Sequence, residues 1–265
     1  MRAFMQSALG VVTACPQVEP WGGAFSLHVS DPCAALGDLA RWSRRRYTGR
    51  IIACPEPPGH AWDAVLIDQV LRTEWHGTVE HLAADSDVAV ASALLDLECE
   101  SDYAMFGWSS REKLWAFQIS DLCCPDIVVI TGAQVMADVD RGGRRLAFAG
   151  LSQWFKTLSP NTRLVLNADD SELCWAALDC PAAIDWIGSN DQMNLAASGI
   201  AVGPGRSELT VDGRGWSIEH PDEIKVSSIL AAVAVGKLLG IEPAQAVFIL
   251  SRSLRDWTKT RIRVA

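Results

Sequence analysis

Residues 50–73 read RIIACPEPPGHAWDAVLIDQVLRT, and this stretch decides the fold class. Arg50–Cys54 is a short apolar run, Pro55–Trp62 is dense in Pro, and Asp63–Thr73 carries apolar residues at helical spacing. A buried strand that feeds a helix through a loop is the opening half of a βαβ unit. It is also the setting in which a loop grips phosphate with successive backbone N–H groups, a Lys and a hydroxyl that holds Mg²⁺. The residues present do not suit that task. Pro55, Pro57 and Pro58 have no N–H, Glu56 adds a repelling charge, and His60 and Ala61 stand where Lys and Ser or Thr belong.

The same alternation continues outward. Asp102–Phe106 (DYAMF), Asp126–Thr131 (DIVVIT) and Arg163–Leu166 (RLVL) read as buried strands, while Ala89–Leu97, Leu146–Leu158 and Lys225–Leu239 read as helices. Strands alternating with helices predict an α/β protein, a mostly parallel sheet with helices on both faces. Ser207–Ile218 differs, with two alternating runs around Asp212-Gly213 that predict a small β-hairpin. Toward the N-terminus, Ala8–Thr13 and Phe25–Val29 are candidate strands, and Asp31-Pro32 signals the start of a helix running to Arg46. Arg44-Arg45-Arg46 at its end reads as a solvated terminus that complements the helix dipole.

Composition narrows the function classes. At 265 residues and 49% hydrophobic content the chain can bury a sizeable core, and its net charge of −9 repels phosphate backbones, which argues against nucleic-acid binding. The longest apolar run, around Ser228–Val235, is bounded by Lys225 and Lys237 and falls short of the roughly 20 residues that span a bilayer. Met1–Val12 lacks the pattern of a signal peptide, so the expected location is the cytoplasm, without membrane insertion. The eight cysteines form no CxxC pair and no zinc-ligand spacing, and are expected to be reduced and mostly buried. Only five of the 23 basic residues are lysines: Lys113, Lys156, Lys225, Lys237 and Lys259.

In a parallel α/β sheet, ligands collect at the carboxyl ends of the strands. The loop after DYAMF, Gly107–Ser110, offers no carboxylate, and Gly132–Ala137 after DIVVIT offers no acid, His or Lys. Asn167-Ala168-Asp169-Asp170 after RLVL does carry carboxylates, but such a stretch also serves as a plain polar turn. His76, His81 and Asp85 read as scattered loop residues rather than a metal site, and Arg141–Arg145 as a solvated loop.

Taken in order, DPCAALGDLARWSRRRYTGRIIAC, DAVLIDQVLRT, SALLDLECESDYAMFG, CCPDIVVITG, RLVLNADDSEL and SSILAAVAVGKLLGIEPAQAVFILSRSL resemble the Mur ligase family over most of residues 25–261. The likeness is greatest to the members that add D-alanyl-D-alanine. It implies an amide-forming enzyme that works through an acyl phosphate with ATP and Mg²⁺. The family has a UDP-sugar-binding domain, a central P-loop-NTPase-like domain and a C-terminal Rossmann-like domain. By this resemblance residues 1–48 are a truncated α/β remnant of the first, residues 49–265 are the central domain, and the C-terminal ligase domain is absent.

The family's functional positions can be carried over one at a time. Its phosphate loop falls on Pro55, Glu56, Pro57, Pro58, Gly59, His60 and Ala61, of which only Gly59 matches. The Mg²⁺-binding Glu falls on Gly107, the metal-binding His on Ala137, the carbamylated Lys on Leu151 and the adenine-side Asn on Ser228. No small slip in register restores them, because the lysine nearest to Leu151 is Lys156 and no His lies between Gly107 and Ser217. The resemblance therefore implies no catalytic residue and no metal site, with ATP and Mg²⁺ lost as cofactors. Asn167, Asp169, Asp170, Ser228 and Arg261 remain as candidate ligand contacts, and Trp62, Trp108 and Trp115 are expected to plug the vacated site. Such losses are not additive, and what survives them can be no more than binding.

The expectation is a pseudoenzyme with a binding, regulatory or scaffolding role near peptidoglycan-precursor synthesis. The alternative is an ATP-dependent amide ligase completed by a second chain, or by His60, Asp169, Asp170 and the Arg141–Arg145 loop. Expected partners are a protein or a second copy on the face left by the missing C-terminal domain, or a UDP-sugar or peptide ligand.

Overall fold

The computed structural model describes residues 10–15, 25–55, 62–83, 87–109, 121–136, 144–189 and 195–262. Strands β1 (Gly10–Thr13) and β2 (Phe25–His28) form a separate parallel pair, followed by helix α1 (Pro32–Arg46). Then come β3 (Arg50–Pro55), α2 (Trp62–Leu71), β4 (Gly77–Ala83), α3 (Asp87–Leu95), β5 (Tyr103–Ser109) and β6 (Ile127–Ile130). A 3-10 turn (Ala133–Met136), α4 (Arg144–Thr157), β7 (Arg163–Asn167), α5 (Ser171–Ala176) and β8 (Ala183–Gly188) follow. The chain continues through β9 (Leu195–Gly203), β10 (Arg206–Val211), β11 (Arg214–Glu219), α6 (Val226–Leu238) and α7 (Pro243–Ile262).

Nine strands make one sheet in the order β11-β10-β9-β8-β7-β6-β3-β5-β4. It is parallel from β4 to β9 and turns antiparallel at β10 and β11. The predicted parallel α/β sheet and hairpin are both present. Asp212 at φ 49° and Gly213 at φ 72° give the hairpin a two-residue turn with both φ angles positive, the geometry that matches strand twist and suits Gly.

The apolar strands do not alternate with polar residues because both faces of the sheet are covered. Ile51, Ala53, Val128, Ile130, Leu164 and Leu166 enter one core layer with Leu94, Leu151, Trp154 and Phe155. Ile52, Cys54, Ile127, Val129 and Val165 enter the other, beneath α2, α6 and α7. Helix α6 is buried on all sides from Ser228 to Gly236, and a Cβ on Gly236 would lie 2.9 Å from Val70 Cγ1, so α2 and α6 pack as closely as they do only with Gly there. Among the described residues no helix is long and apolar enough to cross a membrane.

Three expectations are corrected. Arg44 is not solvated: its Nε donates to Cys123 O at 2.6 Å and its Nη2 to Cys124 O at 3.1 Å and to the Asp126 carboxylate at 2.9 Å. Asp126 also accepts from Ile51 N at 2.9 Å, so this guanidinium locks α1 to the leading edge of β3 and β6. The free cysteines are not mostly buried, since Cys15, Cys33, Cys99 and Cys124 are exposed and only Cys54 and Cys123 lie in the core; the exposed thiols sit on turns and a helix start, where no sheet covers them. His81 is not a loop residue but lies on β4, opposite Gly107 in register, while His76 lies just before that strand and Asp85 falls outside the described residues.

Candidate functional site

The strand order reverses beside β3, with β5 and β4 on one side and β6 to β9 on the other, and the carboxyl ends of β3, β6 and β7 open there. Pro55 ends β3; Glu56, Pro57, Pro58, Gly59, His60 and Ala61 lie outside the described residues. Where the chain is next described, Asp63 in the first turn of α2 is buried, and its Oδ2 accepts from Thr131 Oγ1 at 2.7 Å. The loop after β6 is thereby tied to the helix after β3.

Asn167 ends β7 and braces the same loop, its Nδ2 donating to Thr131 O at 3.1 Å and its Oδ1 accepting from Asp169 N at 3.1 Å. Asp170 caps α5, with Oδ1 accepting from Glu172 N at 3.0 Å, while its Oδ2 accepts from Ala133 N at 2.8 Å. Asp169 reaches across to the end of β8, where it accepts from Ser189 Oγ at 2.8 Å and from Ser189 N at 3.1 Å. All three side chains are engaged in holding the edge together. Beside them the Cys174 thiol donates to Ala168 O at 3.4 Å, and burial, then the negative charge of Asp170, raises its pKa.

Thr131, Asn167, Asp169 and Asp170 line an open polar cleft of about 470 Å³ together with Gln134, Glu172, Lys225 and Ser227. Lys225 occupies the N-cap of α6 without a side-chain capping bond. A cation there opposes the helix dipole, so the cleft carries an ammonium at a helix N-terminus, where a local rule would place an acid or a hydroxyl. That is the signal by which the sequence could have marked Lys225, which composition alone left as one of five lysines. Thr131, Asp63, Gln134 and Ser189 carry no such signal, because their roles depend on loops that meet only in the folded chain.

Of the candidate contacts, Asn167, Asp169 and Asp170 come together with Lys225. Ser228 does not join them: it is buried, its backbone N donates to Lys225 O, and Ser227 lines the cleft in its place. Arg261 lies in the last turn of α7, its side chain outside the described residues. Gly107 is buried on β5 between Cys54 of β3 and His81 of β4. Leu151 is fully buried in α4 within the same core layer as Trp154 and Phe155. Ala137 and Trp115 fall outside the described residues, as do Arg141–Gly143 and the side chains of Trp108, Arg144 and Arg145. Trp62 is half-buried and stands edge-on to Trp257 of α7, with ring centroids 5.3 Å apart.

Among the described residues, the hydroxyl and carboxylates of this edge are engaged with protein donors and acceptors. Thr131 and Asp63 are bonded to each other, and the carboxylates of Asp169 and Asp170 accept from backbone and Ser189 donors. Among the described residues no three His, Cys, Asp or Glu side chains come together to hold a metal ion.

No protein-family model matches the sequence, and no curated protein sequence is similar to it. Solved structures do match. MurF from Acinetobacter baumannii superposes with a TM-score of 0.73 at 19% identity, over 91% of this chain and 53% of that one. The chain has the Mur ligase fold. The MurF ligase of Thermotoga maritima, solved in complex with ADP, gives a TM-score of 0.69 at 14% identity over 94% of this chain and 59% of that one. A UDP-N-acetylmuramate:L-alanyl-gamma-D-glutamyl-meso-diaminopimelate ligase from Neisseria meningitides gives 0.55 at 14% identity over 94% and 80%. The chain spans about half the length of the A. baumannii MurF.

Proposed function

We propose that this protein is a non-catalytic Mur ligase homologue, a cytoplasmic pseudoenzyme that binds a small polar ligand or a protein near peptidoglycan-precursor synthesis. The observation that carries this reading is the commitment of the acids at the carboxyl edge. Asp63, Asp169 and Asp170 each spend an oxygen on a protein donor, and the positions matched to catalytic groups hold Gly107, which has no side chain, and Leu151, which is sealed in the core. A transition-state donor is worth roughly 10²–10³ in rate, and here several are replaced together. What the cleft retains is a polar lining suited to recognition: Lys225, Gln134 and Ser227 beside the carboxylates of Asp169, Asp170 and Glu172.

The rival reading is an ATP-dependent amide ligase completed by a second chain. The test is phosphate release by the purified full chain, alone and mixed with a separately purified Mur ligase C-terminal domain, from ATP, Mg²⁺, a UDP-muramoyl tripeptide and D-alanyl-D-alanine. The proposal expects release at the level of a no-enzyme control. Sustained release that depends on both acceptor substrates contradicts it and restores the ligase.

A further inference from the structure

Strand β9 joins β8 late. Leu195 pairs with Ile187 and Ala196 with Gly188, so Ala183–Trp186 of β8 pair with β7 on one side and with no strand on the other among the described residues. The gap lies beside the carboxyl end of α6 and holds a cavity of about 340 Å³ with apolar walls of Trp186, Ile187, Leu195, Ala234 and Leu238. An apolar lining with a few fixed polar groups, at a volume within roughly 300–1,000 Å³, is the character of a small-molecule site.

The polar groups here are Arg163, Asp185 and Lys237. Asp185 is buried and grips one side of the guanidinium: Arg163 Nε donates to Oδ2 at 3.0 Å, and Nη2 donates to Oδ1 at 2.8 Å and to Oδ2 at 2.6 Å. Nη1 has no hydrogen-bond partner among the described residues, and the Arg163 side chain is 45% exposed. One carboxylate thus fixes the planar fork and leaves two N–H groups to offer to a second, with little rotamer freedom still to lose. Lys237, in the last turn of α6, supplies another positive charge. Two cations and one carboxylate leave the lining with one net positive charge.

We infer that this cavity binds a small monocarboxylate with a compact apolar body, the carboxylate on Arg163 Nη1 and the body among the apolar walls. The single net charge matches a monoanion. A dianion exceeds it and meets the Asp185 carboxylate, a cation is repelled by Arg163 and Lys237, and an uncharged molecule draws nothing from either cation. Arg163 opens β7 and Lys237 closes α6, so the cavity lies at the amino edge of the sheet. Twelve helical residues, about 18 Å, separate Lys237 from Lys225, and the inference does not rest on the reading of the carboxyl-edge cleft.

Titration of the full chain with benzoate tests this, followed by calorimetry and by the indole N–H resonance of Trp186, assigned with Trp186→Phe. Benzoate binds saturably with a Kd on the order of 1 mM, shifts the Trp186 resonance, and binds more weakly as salt is added. Phenyl phosphate and benzyl alcohol bind at least about tenfold more weakly than benzoate. Arg163→Leu with Asp185→Leu removes the pair without stranding a buried charge and abolishes binding, with circular dichroism as the check on folding. Lys237 is exposed, and Lys237→Glu, which keeps the fold, weakens benzoate binding by about tenfold and stands as the test should the double variant not fold. No saturable binding to the wild type, benzyl alcohol or phenyl phosphate bound as tightly as benzoate, or unchanged benzoate affinity in either folded variant overturns the inference.

Discussion

The Thr131 hydroxyl donates to the buried Asp63 carboxylate over 2.7 Å, and this bond joins the loop after β6 to the first turn of α2 at the point where the strand order reverses. A carboxylate in that position is here a structural tie. Thr131→Val keeps the side-chain shape but removes the donor, and is expected to cost about 1–3 kcal/mol in urea denaturation because a buried acceptor loses a partner. Thr131→Ser keeps the donor and should cost less than Thr131→Val. Equal stability of the Val variant and the wild type would show that the tie carries no weight.

Asp170 does two jobs with two oxygens, capping α5 and holding Ala133 N. Asp170→Ala should lower stability by about 2 kcal/mol, the upper range for a lost cap, and Asp170→Asn should recover much of that loss. Thermal unfolding followed by circular dichroism measures both. A loss from Asn as large as that from Ala would mean that charge, and not capping geometry, is what matters.

Arg44 and Arg45 are neighbours with opposite fates. Arg44 donates to two carbonyls and a carboxylate, with its side chain 16% exposed, whereas Arg45 is exposed and forms no ion pair among the described residues. Arg44→Ala is expected to cost about 1.5–3 kcal/mol, and Arg45→Ala about 0.5 or less. Lys at position 44 cannot reproduce the planar fork and should rescue only in part. Chemical denaturation of the three variants decides it.

Tyr103 is fully buried and donates to Asp68 Oδ1 at 2.8 Å. Burial first, and the Asp68 carboxylate second, raise its pKa above the ordinary value of 10.0. A phenol whose pKa is higher in the folded chain contributes stability that is fully present below pH 10.0 and declines as the unfolded chain ionises above it. Unfolding free energy should therefore fall above that pH, and Tyr103→Phe should flatten the fall. An equally steep decline in the Phe variant would assign it to other groups.

The sequence displayed the elements whose signal is local. RIIAC, DIVVIT and RLVL are β-rich apolar runs and became β3, β6 and β7, and Asp212-Gly213 names its own turn. Strand β4, GTVEHLA, was harder to see because it is an edge strand with a charged and an ionisable residue in its middle, and β9, LAASGIAVG, because Ala, Ser and Gly carry little strand preference. At the site, the Asn167–Asp170 turn was legible as a polar closure of β7. That its oxygens meet Ala133 and Ser189 was not, since those donors lie on loops 37 and 20 residues away. Arg44 was misjudged for the same reason: a run of three arginines looks solvated until the carbonyls of Cys123 and Cys124 are folded against it.

The central claim is that the fold survives here without the nucleotide chemistry, and isothermal titration of the full chain with Mg-ATP tests it most directly. The account predicts no heat of binding beyond dilution at ATP concentrations that saturate a micromolar site. A saturable isotherm with micromolar affinity, lost on removing Mg²⁺, would contradict it.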